Sequence, residues 1–286
     1  MLSYITWTFD PSLFHVFGLE VRWYGLMWAL GFFLGYMVES RIYKNEGLPS
    51  DAMDSLFIYM AIGTLVGARI GHCLFYDFEY YSSHILEIFI PKGGFAGLSS
   101  HGGAFGILIA LWIFHKRVAK RSYIWVLDRV VIAVSICGAC IRMGNLFNHE
   151  IYGYPTDLPW AFRFVSNVNA WMGGADPIFT QPSHPTQLYE VTYCLVTFSI
   201  LLYLYWKTNA RKYDGFLFGV FLVCIFLTRF FLEFIKNNQE SFEDSMLLNM
   251  GQLLSLPFFL YGFYSIYKAG RQWKNDNEKK LVEENK

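Results

Sequence analysis

From Arg142 to Gly153 the sequence reads Arg-Met-Gly-Asn-Leu-Phe-Asn-His-Glu-Ile-Tyr-Gly, and an apolar run from Val130 to Ile141 leads into it. A cation, two amides, a histidine and a carboxylate arrive within the nine residues 142–150. With the run in a bilayer, these groups sit where it meets water. Polar side chains at that depth are costly and usually tied to function. The guanidinium of Arg142 is a planar fork of donors suited to phosphate or carboxylate. Asn145 and Glu150 are candidates to orient it or to bind substrate hydroxyls, and Gly153 allows a turn or a close approach.

Other ionisable groups in apolar surroundings extend the pattern. Arg22, Arg69, Arg129 and Arg229 lie within or at the ends of apolar runs. Glu233 follows Arg229 by one helical turn, so an ion pair on one face is available. Clustered arginines need an anion, and Glu150 and Glu233 offset only part of the charge. The most economical anion between helices is a phospholipid phosphate. His101 stands in Gly97-Leu-Ser-Ser-His-Gly-Gly-Ala-Phe-Gly106, where glycines admit a close neighbour and histidine suits proton transfer near neutral pH. Tyr24 follows Arg22-Trp23 and carries a phenol able to donate to an oxyanion or phosphate. His149 and Glu150 are adjacent and cannot share one helical face, and no His-Glu-x-x-His spacing occurs, so no metal is expected, and no cofactor.

The elements that must position these groups are membrane spans. The chain of 286 residues is 54% hydrophobic, 20% aromatic and only 16% charged, against about 25% charged in an average soluble domain. Its net charge of zero gives no basic field for nucleic acid. Seven stretches approach the ~20 apolar residues a span needs, near 21–40, 54–76, 97–115, 124–141, 188–206, 214–235 and 248–267. The expectation is an all-α polytopic membrane domain over residues 1–269, with a charged, frayed tail at 270–286.

Lys and Arg set the orientation. Fifteen fall in one set of connections and in the tail (Arg41, Lys44, Lys116 to Arg121, Lys207 to Lys212, Lys268 onward), and three (Lys92, Arg163, Lys236) in the other. The tail is therefore expected in the cytoplasm and the N-terminus outside, with no cleaved signal peptide. Arg22, Arg69, Arg142, Arg229 and His101 then share one level toward the outer face. Arg129, beside Asp128, lies near the cytoplasmic face and helps seat its span. The largest external loop, 144–187, is dense in Pro and Gly and reads as a compact irregular lobe. All five cysteines lie in apolar runs, which argues against disulfides, and Cys137-x-x-Cys140 reads as small apolar residues in a helix.

Arg142-x-Gly-Asn145-x-x-Asn148-x-Glu150-x-x-Gly153 resembles the signature of the bacterial prolipoprotein diacylglyceryl transferases. Arg22-Trp-Tyr-Gly-Leu-Met27, Ser100-His-Gly-Gly103, His184-Pro-Thr-Gln-Leu-Tyr-Glu190 and Gly251-Gln-Leu-Leu-Ser-Leu-Pro257 resemble four further family motifs, in the family's order. The resemblance implies transfer of the diacylglyceryl group of phosphatidylglycerol to the lipobox cysteine of a preprolipoprotein, in the bacterial inner membrane. It implies that Tyr24, His101, Asn145 and Gly153 are needed for activity, and that Arg142, Glu150, Arg229 and Glu233 serve lipid binding or catalysis. Two positions depart from the family pattern: Ile225 where a tyrosine is frequent, and Lys236 where an arginine is frequent. In that chemistry His101 is the expected base for the thiol, and Arg142 and Arg229 stabilise the leaving phosphate. The competing class is a non-enzymatic phospholipid or anion transporter. Internal repeats and polar groups at the midplane would mark it; no repeat is found, and the polar groups gather toward one face.

Overall fold

A computed structural model describes residues 4–16, 19–89, 99–237 and 246–284. The protein is 71% helical. In chain order its elements are β1 (Tyr4–Thr6), β2 (Ser12–Val16), β3 (Leu19–Arg22), α1 (Trp23–Asn45), α2 (Ser50–Phe75), α3 (Phe78–Ser83), α4 (Ile85–Phe89), α5 (Ser100–Phe114), α6 (Tyr123–Phe147), β4 (Ala161–Arg163), α7 (Val168–Met172), α8 (Thr186–Lys207), α9 (Phe216–Leu222), α10 (Thr228–Leu232) and α11 (Met250–Glu284). A widened π turn, Val223–Leu227, joins α9 to α10, and another, His115–Ala119, extends α5.

Each expected apolar stretch overlaps a long helix, counting α9 to α10 as one; residues 90–98 and 238–245 lie outside the described residues. Among the described residues, four helices are long and apolar enough to cross a membrane: Ser50–Phe75, His101–Ala119, Tyr123–Phe147 and Thr186–Lys207. Large apolar side chains on these and neighbouring helices are more than half exposed, Phe33 at 60%, Ile62 at 57% and Phe105 at 65%. Water would penalise that surface and lipid would not.

Four expectations are corrected, the last of them, the start of the lobe, further below. The fold is not purely helical: β2 and β3 form an antiparallel hairpin and β1 pairs in parallel with β4. Arg22 therefore closes a strand instead of opening a span. Residues two apart share a strand face, so it pairs with Glu20 at 2.9 Å. The tail is not frayed: α11 runs on to Glu284, since Lys, Glu and Gln are good helix formers and no Pro or Gly follows Gly270.

The chain divides into two compact units, residues 39–127 and residues 1–38 with 128–286. In the first, α2 and α5 meet along glycines. A Cβ at Gly71 would stand 2.6 Å from the Cα of Gly102, and one at Gly102 would stand 2.7 Å from the Cα of Gly71. The spacing Gly63-x-x-x-Gly67-x-x-x-Gly71 against Gly102-x-x-x-Gly106 lets two backbones touch, the close approach that packs helices in lipid. Arg69 is used inside this unit, donating to the carbonyls of Glu87 (2.8 Å) and Ile88 (3.1 Å) and to the Tyr81 hydroxyl (3.2 Å).

In the second unit α6 is central. Its Cys137 and Cys140 pack on Gly31 of α1, and its Ala139 forms a buried cluster with Val191 and Cys194 of α8. At the start of α6 the buried Asp128 carboxylate accepts from the backbone N–H groups of Gly215 and Phe218, both at 2.7 Å. It caps α9, whose first N–H groups have no partner within the helix. The expected lobe begins after Phe147, where α6 ends, not at Gly144. Its core is Leu146, Phe162 and Phe164, closed by Trp7, Tyr152 and Leu188.

Candidate functional site

The Arg142–Gly153 stretch spans the last turns of α6 and a tight reversal after it. Arg142 and Asn145, one turn apart, meet directly: an Nη1 proton of Arg142 is donated to Asn145 Oδ1 at 3.1 Å. The Asn145 amide donates in turn to Glu150 Oε1 at 2.8 Å, and Asn148 donates to the same oxygen at 3.4 Å. Asn145 is buried, so its amide can serve both neighbours only if both stay in place. Glu150 does not pair with Arg142 itself; the amide of Asn145 stands between them.

The reversal is strained. His149 and Ile151 adopt φ of +56° and +61°, a region that costs a β-branched residue most. Two fully buried side chains at the start of α8 hold it: Thr186 Oγ1 donates to the Ile151 carbonyl (2.7 Å) and Gln187 Nε2 to that of Glu150 (2.6 Å). His149 is locked from both ring nitrogens. Its Nδ1 accepts from the Val165 N–H at 3.1 Å, so Nε2 carries the proton and donates to the Phe9 carbonyl at 2.9 Å. Burial lowers its pKa, and the Phe9 hydrogen bond offsets part of the shift. Burial also lowers the pKa of His184.

Arg142 has a second partner, Glu190 of α8, with Nε 2.7 Å from Oε2. Nε is not aimed at that oxygen as a hydrogen bond would be, so the contact counts as a close ion pair. Glu190 is 1% exposed, and its other oxygen lies 3.3 Å from Nζ of Lys236, itself 3% exposed. Lys236 continues to Glu233 Oε1 at 3.7 Å, and that oxygen is 3.3 Å from Nε of Arg229. The chain of contacts therefore runs Glu150, Asn145, Arg142, Glu190, Lys236, Glu233, Arg229. Both arginines remain open, with side chains 25% and 35% exposed, while Glu190, Lys236 and Glu233 between them are buried.

The surroundings fix this order. The π turn before Arg229 changes the facing of the residues after it, a feature common at functional sites. Helix α10 ends at Leu232, and Glu233 is held from α11: Asn249 Nδ2 donates to its Oε2 at 3.2 Å and Gly251 leaves room for its carboxylate. Asn249 and Gln252 exchange side-chain-to-backbone hydrogen bonds at 3.0 and 2.9 Å, which starts α11 there. Gly153 pairs with Lys236 as a β-bridge, and a Cβ on it would collide with the Ile235 carbonyl. Gly144 does the same service for Tyr24, whose ring would lie 2.8 Å from a Cβ there.

Of the expected site residues, Tyr24, Arg142, Asn145, Glu150, Gly153, Arg229 and Glu233 belong to one unit and are linked by these contacts. His101 belongs to the other unit, exposed on the first turn of α5, where Ser99 caps the Gly102 N–H. Glu190 stands in the sequence only as the end of the His184–Glu190 motif, without a role, and the burial of Lys236 beside it has no sign there. The signal was present in Glu190, a carboxylate inside the apolar run of α8.

The fold and the site define a helical membrane protein with a partly open pair of arginines braced by buried carboxylates, suited to an anion. The prolipoprotein diacylglyceryl transferase family model matches residues 11–268, and the chain belongs to that family. Proteins named phosphatidylglycerol–prolipoprotein diacylglyceryl transferase are similar over nearly the whole length. That of Porphyromonas gingivalis is 47% identical over 273 residues, 93% of this chain and 95% of the relative. Those of Bacteroides fragilis (40% over 282 residues, 95% and 98%) and Chloroherpeton thalassium (38% over 270 residues, 94% and 96%) match as fully.

Proposed function

We propose that the protein carries out the reaction for which its relatives are named: transfer of the diacylglyceryl group of phosphatidylglycerol to the lipobox cysteine of a preprolipoprotein. The observation that carries the site assignment is the pair of half-open arginines, Arg142 and Arg229, bracketing a buried acid–base chain. The thiolate sulfur attacks the sn-3 glycerol carbon. A C–S bond forms, the C–O bond to phosphate breaks, and its electron pair leaves with glycerol phosphate. Arg142 and Arg229 take the growing phosphate charge. His101 accepts the thiol proton. Tyr24 donates to the headgroup from beside Gly144, and Asn145 and Glu150 fix Arg142 from the opposite side.

The protein sits in the bacterial inner membrane with seven spans, N-terminus outside and tail in the cytoplasm, a reading supported by the fifteen-to-three division of Lys and Arg. The lobe at 148–185 then faces outward, on the side where a translocated lipobox arrives. The test is purified protein with phosphatidylglycerol labelled in its diacylglyceryl moiety and a lipobox peptide. Label should reach the peptide in wild type. His101→Ala should abolish transfer while phosphatidylglycerol binding persists. Wild-type protein that is folded and binds lipid but transfers no label would refute the reading.

A further inference from the structure

Lys236 and Glu190 are the least exposed charged groups of the cluster, at 3% and 1%, and neither needs to touch a substrate to matter. Five ionised groups form the continuous chain: Arg142, Lys236 and Arg229 against Glu190 and Glu233. Formally they sum to one positive charge. Glu150, whose Oε1 accepts from the amides of Asn145 and Asn148, adds a further negative charge next to Arg142, so the whole cluster is formally neutral. Without Lys236 three carboxylates would face two arginines, and the net negative charge would repel an anion.

Building on the proposed reaction, we infer that Lys236 and Glu190 are a buried charge-setting pair, which keeps the cluster from turning net negative and so leaves the half-open arginines able to meet a phosphodiester. Lys236 lies 3.3 Å from one carboxylate and 3.7 Å from the other, so it partly satisfies both. Each arginine is then held by its carboxylate but not consumed by it. A lysine suits this role, because its compact ammonium can sit between two carboxylates where a planar fork would favour one bidentate partner. Phosphatidylglycerol carries one negative charge as a diester, which the exposed faces of the two arginines meet. When the C–O bond breaks the leaving phosphate becomes a monoester with a second ionisable oxygen. That added charge is met by Arg142, which is drawn from Glu190 toward the product as Lys236 takes over the carboxylate. Lys236 and Glu190 are positioning residues in this scheme.

The two residues therefore act in opposite directions on donor binding, which a merely structural role would not produce. The experiment measures KM for phosphatidylglycerol and kcat in the transfer assay, with donor binding to the purified protein in mixed micelles as a second readout. Lys236→Met should raise the donor KM and weaken binding by about tenfold or more, with little relief from added salt because the lost charge is buried. Lys236→Arg should recover most of that loss in binding. Glu190→Gln should leave donor binding equal or tighter while kcat falls about 100-fold, because Arg142 loses its orientation. The double variant Glu190→Gln/Lys236→Met has the same net charge as wild type, and its donor binding should return toward wild type. Losses of the same sign in both single variants, or a double variant no better than Lys236→Met in binding and no better folded, would overturn the inference. Absence of transfer by wild type would instead overturn the proposed reaction, and the binding series would still decide the charge pair.

Discussion

Gly153→Ala offers a sharp test of how the lobe is coupled to the cluster. Gly153 is hydrogen bonded through its N–H to the His184 carbonyl at 2.9 Å and bridged to Lys236, with Asn237 donating to its own carbonyl at 3.0 Å. A Cβ at this position would lie 2.8 Å from Thr186 Cγ2 and 2.9 Å from His184 Cβ, and would overlap the Ile235 carbonyl. Ordinary contact begins at 3.4 Å, so Thr186 must retreat by about 0.6 Å, His184 by about 0.5 Å and the Ile235 backbone by more. Thr186 is fully buried and Ile235 precedes Lys236, so neither can yield alone. Overpacking of this kind costs about 1–3 kcal/mol. The displaced groups hold Ile151 and Lys236, so Glu150 and Glu190 shift with them, and misplacement approaching 1 Å costs on the order of 10- to 100-fold in rate. Thermal unfolding in detergent should show a lower midpoint, and transfer should fall by at least tenfold. Gly270→Ala, with nothing within 4 Å of the new Cβ, is the control. Wild-type stability and turnover for Gly153→Ala would refute the coupling of lobe to cluster.

Further predictions concern other links. Arg142→Lys keeps the charge but cannot reach Asn145 and Glu190 with one planar group, so turnover should drop about tenfold or more, read as kcat at saturating donor. Asp128→Ala removes both caps from α9 and leaves the buried Gly215 N–H and the half-buried Phe218 N–H unmet, which should destabilise the protein by about 2 kcal/mol in equilibrium unfolding. His149 has its pKa lowered in the folded protein from an ordinary 6.5, so the unfolded chain binds the proton more tightly. Its contribution to stability is complete above about pH 6.5 and is lost as pH falls below that value. His149→Gln should flatten the pH dependence of lobe unfolding between pH 5 and 7, measured by hydrogen exchange around Val165. Gly67→Leu should separate α2 from α5 and lower the unfolding midpoint, because a Cβ there already meets backbone at Gly102 and Gly106.

The long helices were legible because runs of apolar residues leave few alternatives, and Arg142 to Glu150 was legible because polar groups crowd the end of one such run. The Arg229–Glu233 pair followed from helical spacing alone. Glu190 was legible only as the end of a motif, although a lone carboxylate in the apolar run of α8 carries the same message as a cation at that depth. The setting of Lys236 had no local signal: its partner Glu190 lies 46 residues earlier, on another helix. The same holds for His149, whose ring is fixed by backbone groups 140 and 16 residues away. The β2–β3 hairpin was missed because its strands are short and run directly into the aromatic start of α1. Position 225, isoleucine here, packs against the buried Ala139, Val191 and Cys194, so it supports the interior instead of the phosphate.

The most direct test of the site assignment is an experimental structure with bound phosphatidylglycerol. The account predicts its phosphate within about 3 Å of guanidinium nitrogens of Arg142, with Arg229 on the opposite side and Lys236 still buried against Glu190. A phosphate bound elsewhere, with Arg142 engaged only by Asn145 and Glu190, would contradict it.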